Sequence, residues 1–268
     1  MGAKWWLSMK HTKKTLFLAS FFIFIQSFAE TNAPGWDRFF SAYYESAYLN
    51  RAGTGAGLFV PRMGFSNPET GLEVYLVART GIDSRTFLEQ SDQIYNDNFL
   101  FMGAGIDQTR WVKGVRFSLQ AGYSMDLNPK IKLGGADLRA GMLSYHEFEW
   151  IPNSLRTEIY SEAFYVRRYR NMLGSIHLRN FWPVIQTGAD RYQGAEFGPL
   201  IQGVASGDTA GFDYNRFLEG QFGVRLLFHK PITLGIHALA VRGYRFEKSS
   251  PIGAYQDARA VITGMLAW

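Results

Sequence analysis

Ser175 and His177 lie two residues apart in a stretch of alternating character. On a strand both side chains would share one face, where a serine nucleophile and a base can approach each other. Glu158 or Glu162 on the preceding segment could orient that base. The other histidines beyond residue 30, His146, His229 and His237, show no metal-ligand spacing. The chain has no cysteine, which removes thiolate nucleophiles, thiolate metal sites and disulfides together. No glycine-rich loop is placed to cradle a phosphate. Asp83, Glu89, Asp92 and Asp97 in or beside one long loop read either as cation ligands or as a solvated acidic loop. No complete catalytic set, no metal and no cofactor is expected.

The larger chemical inventory is ionic. Glu73, Arg79, Asp107, Arg116, Asp126, Arg139, Glu147, Glu149, Arg156, Glu158, Glu162, Arg168, Arg179, Glu219, Arg225 and Arg259 fall on one parity of their segments, with Tyr75, Tyr145 and Tyr160 among them. Gathered on one surface, they would either line a polar conduit for a hydrated, hydroxyl-rich substrate or fill an interior with mutually satisfied Arg–Glu pairs. Both readings stand at the level of sequence.

The elements that would gather them follow from a period of two. Twelve segments carry it, at 36–51, 57–65, 72–80, 99–111, 115–126, 137–150, 155–168, 172–184, 197–206, 217–228, 232–246 and 257–268. The clearest sets Val115, Phe117, Leu119, Ala121, Tyr123 and Met125 against Arg116, Ser118, Gln120, Gly122, Ser124 and Asp126. Alternation over 9 to 16 residues exceeds the five or six of an ordinary strand. It suits an antiparallel up-and-down transmembrane β-barrel of about 12 strands, apolar outside and polar inside. Beyond residue 30 no run approaches 18 uninterrupted apolar residues, so membrane-spanning helices are not expected. Aromatic residues at 16% and 28 glycines fit the barrel class. Connections should then alternate, with long external loops at 84–98, 128–136, 207–216 and 247–256 and short periplasmic turns at 112–114, 151–153 and 229–231. A short turn near Arg170 and a long connection at 185–196 break that rule.

Both ends agree with this class. Lys10, Lys13 and Lys14, the apolar run 16–25 and Ser27-Phe28-Ala29 read as a signal peptide over 1–29, with Met9 the better start and 30–268 the barrel domain. Four of the 28 Lys+Arg and none of the 23 Asp+Glu fall in 1–29, which leaves 24 against 23 in the remainder. The basic balance therefore largely belongs to the leader, and nucleic acid is not an expected partner. At the C-terminus Leu266, Gly264, Ile262 and Ala260 alternate with Thr263 and Arg259 up to a final Trp268. Leu266 and Trp268 read as the signal recognised by the barrel-assembly machinery. The expected surroundings are the lipid of a Gram-negative outer membrane, and the expected state is a monomer.

Three blocks carry a family resemblance: 91–105 with Ile94-Tyr95-Asn96-Asp97-Asn98, then 158–168 followed by Asn171, and then 214–225 continued by Val241-Arg242-Gly243-Tyr244. They resemble the C-terminal barrel of the bacteriophage adsorption protein NfrA and related barrels of exopolysaccharide-export systems. Those relatives carry a helical-repeat region that recruits periplasmic partners. The resemblance implies a conduit for polysaccharide export or envelope transport, with periplasmic export proteins as separate partners. A closed structural or adhesive barrel is the second reading, and a lipid-modifying enzyme built on Ser175 and His177 the third.

Overall fold

The computed structural model describes residues 34–49, 54–83, 98–127, 132–151, 154–188, 194–209, 216–230, 232–246 and 253–267. Residues 1–29, expected to be a signal peptide, the acidic loop residues Glu89, Asp92 and Asp97, and Trp268 lie outside them. Thirteen strands follow in order: β1 (Asp37–Leu49), β2 (Thr54–Asn67), β3 (Leu72–Asp83), β4 (Phe99–Val112), β5 (Val115–Asp126), β6 (Gly135–Ile151), β7 (Leu155–Val166), β8 (Asn171–Phe181), β9 (Ile185–Gln186), β10 (Ala195–Asp208), β11 (Phe217–Phe228), β12 (Thr233–Arg245) and β13 (Gly253–Ala267). Each pairs antiparallel with its neighbour, and β13 closes on β1 with Ser41 opposite Ala267 and Leu49 opposite Arg259. Twelve strands make the ring, and β9 is an addition to it. Closure leaves no strand edge, which is what lets a sheet sit in hydrocarbon with every backbone group paired.

Pairing assigns the two faces without ambiguity, because parity is conserved across each antiparallel pair. On β5 the outward set is Val115, Phe117, Leu119, Ala121, Tyr123 and Met125, as the alternation predicts. Leu119 opposite Ile106 and Ala140 belongs to an apolar outer band. Aromatic side chains collect at both rims of that band. Trp111, Phe117, Phe148 and Trp150 lie toward the end that carries Asp37 and Ala267, and Tyr48, Tyr123, Tyr165 and Tyr244 toward the other. An apolar outer band between aromatic girdles on a closed antiparallel ring is the exterior of an outer-membrane barrel.

Most segments extend one to four residues beyond the sequence reading at one end or both, notably β2, β10 and β13. The segment drawn to Arg168 instead stops at Val166, where Arg167–Tyr169 forms a 3₁₀ turn and Arg170 takes left-handed backbone angles (φ 48°). That one turn makes the connection between β7 and β8 short. The long connection at 185–196 has a different cause: β8 does not end at the rim. After Trp182 and Pro183 its path continues as β9 against β10, with Trp182 N–H donating to Pro199 O (3.1 Å), Val184 N–H to Phe197 O (2.9 Å) and Thr187 N–H to Ala195 O (2.9 Å). Pro183 has no N–H to donate, and the register moves by one residue between the two stretches. What reads as a loop is a hairpin that prolongs β8 and β10.

The interior is less uniformly polar than alternation suggests. Val60, Tyr75, Val77 and Phe101 form one buried cluster on β2–β4. Phe181, Leu200, Leu239 and Val241 form a second on β8, β10 and β12. Glycines on the neighbouring strand make room for inward rings. A Cβ on Gly105 would stand 2.5 Å from the Tyr75 ring, and one on Gly243 would stand 2.2 Å from the Tyr255 ring. Each ring thus lies flat over a glycine directly across from it in the ladder.

Candidate functional site

The ion-paired wall on β2–β5 is built around Asp107, one of the most buried side chains of the chain (1% exposed). Arg62 Nη1 donates to Asp107 Oδ2 at 2.8 Å and Tyr75 Oη donates to Oδ1 at 2.6 Å. Arg116 reaches Glu73 at 3.3 Å and Asp107 at 3.5 Å. Gln120 Nε2 donates to Tyr75 Oη at 3.0 Å, and Arg62 Nε to Ser41 Oγ at 3.2 Å. The Arg62 guanidinium also stacks 4.9 Å from the Tyr75 ring centre. Two carboxylates and two guanidinium groups close on one another here.

A second wall spans β7–β12. Glu158 receives Arg179 Nη1 at 2.7 Å and Arg225 Nη1 at 2.5 Å. Arg179 Nε donates to Gln202 Oε1 at 2.8 Å, and Gln202 in turn lies 3.2 Å from His177 Nδ1. Arg156 pairs with Glu196, which also lies 2.9 Å from His229 Nε2. The Arg156 and Arg225 guanidinium groups sit 5.2 and 5.3 Å from the Phe181 ring centre. His237, buried on β12, has an Nε2 without a hydrogen-bond partner.

Two further groups stand toward the end of the ring away from Asp37 and Ala267. Asp137 holds Arg139 at 3.0 Å, accepts from Ser124 Oγ at 2.7 Å and accepts from the Arg168 N–H at 3.0 Å. Arg168 itself pairs with Asp126. Glu219 takes Arg259 through two contacts, at 2.7 and 2.6 Å, and accepts a hydrogen bond from Tyr255.

Three inward Tyr-x-Glu pairs repeat one local design. Tyr43 donates to Glu45, Tyr145 to Glu147 at 3.0 Å, and Tyr160 to Glu162 at 2.7 Å. Tyr43 and Tyr145 are 38% and 45% exposed although both point inside the ring, so water reaches them there. Ser175 Oγ donates to Glu162 Oε1 at 3.2 Å, while His177 stands edge-on to Tyr160 with ring centres 5.5 Å apart. Ser175 and His177 share an inward face as expected, yet Ser175 bonds to the carboxylate and His177 to Gln202.

All thirteen residues read from the sequence as lumen-lining, Glu73, Arg79, Arg116, Asp126, Arg139, Glu147, Arg156, Glu158, Glu162, Arg179, Glu219, Arg225 and Arg259, point inward in this register. They form several separate groups along the wall. Sequence reasoning passed over Arg62, Asp137, Glu196, Tyr43 and Glu45. Arg62 sits in a segment interrupted by Pro61 and Gly64. Asp137 stands at the first position of its alternating segment, where parity carries little weight. The Tyr-x-Glu repeat was legible and would have found Tyr43 and Glu45. Leu266 lies opposite Ala42 and faces outward.

No family model matches this chain, and no curated protein does. Solved structures similar to it are outer-membrane β-barrels. The β domain of the Bordetella autotransporter BrkA is 12% identical, with a TM-score of 0.40, over 85% of this chain and 98% of that one. The KdgM porin is 9% identical, with a TM-score of 0.38, over 85% and 99%. An outer membrane channel from Pseudomonas putida F1 is 11% identical, with a TM-score of 0.41, over 88% and 97%.

Proposed function

We propose that this outer-membrane barrel is a conduit for hydroxyl-rich saccharides, serving polysaccharide export or envelope transport with separate periplasmic proteins as partners. The observation that carries the reading is the exposure of Tyr43 and Tyr145 inside the ring. The ion pairs support it by their direction. The farthest reaching among the described residues, Arg225–Glu158, joins β11 to β7, three places apart in a ring of twelve, so these pairs run along the wall. Twelve strands lie between the eight that side chains fill and the 16 to 18 that leave an aqueous channel.

Single-channel recording on the purified protein in planar bilayers tests this. The wild type should conduct, and Arg225→Ala should shift ion preference toward cations, because Glu158 loses one of its two guanidinium partners. Silence in both proteins would favour a closed structural barrel, a reading that the two buried apolar clusters inside the ring also support.

A further inference from the structure

Tyr43, Glu45, Arg79, Tyr160 and Glu162 stand at one level of the ring, on strands from opposite walls. Tyr43 pairs across the ladder with Val60 on β2, and Tyr160 pairs with Tyr145 and His177. Although β1 and β7 lie half a ring apart, Tyr43 is within electrostatic reach of Glu162, and Tyr160 of Tyr43 and Glu45. The lumen is therefore narrow here. Arg79 points into the same space from β3, within electrostatic reach of Glu162 and Tyr160. Its Nε is buried with no hydrogen-bond partner, and the described residues give it no ion pair. Its Nε is thus a buried donor without an acceptor, near the Glu162 carboxylate, at a point where the path narrows.

We infer that this constriction is a binding site for an uncharged saccharide, with Tyr43 and Tyr160 as its aromatic walls, Glu45 and Glu162 as hydroxyl acceptors and Arg79 as the donor. A pyranose ring is complementary to these groups, whose carboxylate oxygens can accept further hydrogen bonds beside those from Tyr43, Tyr160 and Ser175. Its C–H faces pack on tyrosine rings, its hydroxyls donate to carboxylates, and its oxygens accept from a guanidinium whose five N–H groups are fixed in a fork. Few polar groups converging between aromatic surfaces is the general pattern of a small-molecule site. Arg139 and Arg179 also come within electrostatic reach, but each is held by a carboxylate of its own, Asp137 and Glu158, so Glu45 and Glu162 stand against Arg79 alone and disfavour an acidic chain. The inference rests on the conduit reading but is separable from it, because binding can be measured without conduction.

The experiment combines calorimetric titration of the full barrel in detergent with current blockade in bilayers, using maltohexaose as probe and hexagalacturonate as its acidic counterpart. Maltohexaose should bind and interrupt the current, and hexagalacturonate should do so at least ten-fold more weakly. Glu162→Gln and Tyr43→Ala should each weaken maltohexaose binding ten-fold or more, while the outward-face control Ile176→Val binds as the wild type does. Heat-modifiable migration of each variant shows that the barrel has formed. A folded wild type that binds neither sugar, binds the acidic one more tightly, or binds maltohexaose equally well in both variants overturns the site. Binding without conduction would instead overturn the conduit and leave the site standing.

Discussion

The two ion-paired walls use similar residues and differ in how the charges are shared. On β2–β5, Asp107 and Glu73 divide Arg62 and Arg116 between them, with Arg62 also 3.9 Å from Glu73, so each cation has an alternative. On β7–β11, Glu158 alone holds Arg179 and Arg225 together, and the nearby His237 ring nitrogen has no partner. A buried network in which every member has two partners tolerates loss of one. A network hinged on one carboxylate does not, because its removal leaves uncompensated charge in a low-dielectric wall. The lesson is that pair number matters less than connectivity.

The largest expected effect is at the hinge. Glu158→Ala strands Arg225 and leaves Arg179 with Gln202 alone, and should cost about 3–5 kcal/mol, read as a lowered denaturant midpoint of the barrel in detergent. The outer face gives the next scale. Leu119→Arg, in the lipid-facing band, should cost about 2–4 kcal/mol. Ser118→Arg, one residue away and inward near Asp107 and Glu73, should cost clearly less in the same denaturant series. Equal costs at 118 and 119 would mean that the faces are misassigned.

Asp107→Asn sharpens the contrast between the walls. Glu73 remains to receive Arg116 and Arg62, so a loss of about 1–3 kcal/mol is expected, smaller than at Glu158. A loss as large as that of Glu158→Ala would contradict the shared-charge picture. The smallest effect is expected at His237→Leu. Removing a buried nitrogen that has no partner should change stability by less than about 1 kcal/mol in either direction. A large loss there would show that His237 is bonded in a way that the ring geometry does not reveal.

Much of this protein was legible because a barrel strand has a strict period. The residues of β5 sorted correctly from Val115 to Asp126, and β7 sorted Glu158 and Glu162 inward, since one parity must meet lipid. The segment boundaries were less legible. Arg168 kept its inward parity although it left the strand for a 3₁₀ turn, and hydropathy does not register that change. The 185–196 connection read as a loop because Pro183 interrupts the pattern, whereas pairing with β10 resumes two residues later. Inward Phe101, Phe181 and Leu200 were not anticipated, because an apolar residue on the polar parity gains its burial from strands far away in sequence.

What the sequence determined by itself is the class of the molecule: strand length, facing, strand number and the polarity of each surface. These are local quantities, carried by a period of two and by turn chemistry between segments. Only the tertiary structure decided which charge meets which. Glu158 stands 67 residues from Arg225 and Arg62 stands 45 from Asp107, and each pair meets because ring closure and register bring their strands within reach. The same holds for the facing of Tyr43 and Tyr160 across the lumen. Coulomb and hydrogen-bond energies depend on distance in space, and periodicity along the chain contains no information about that distance.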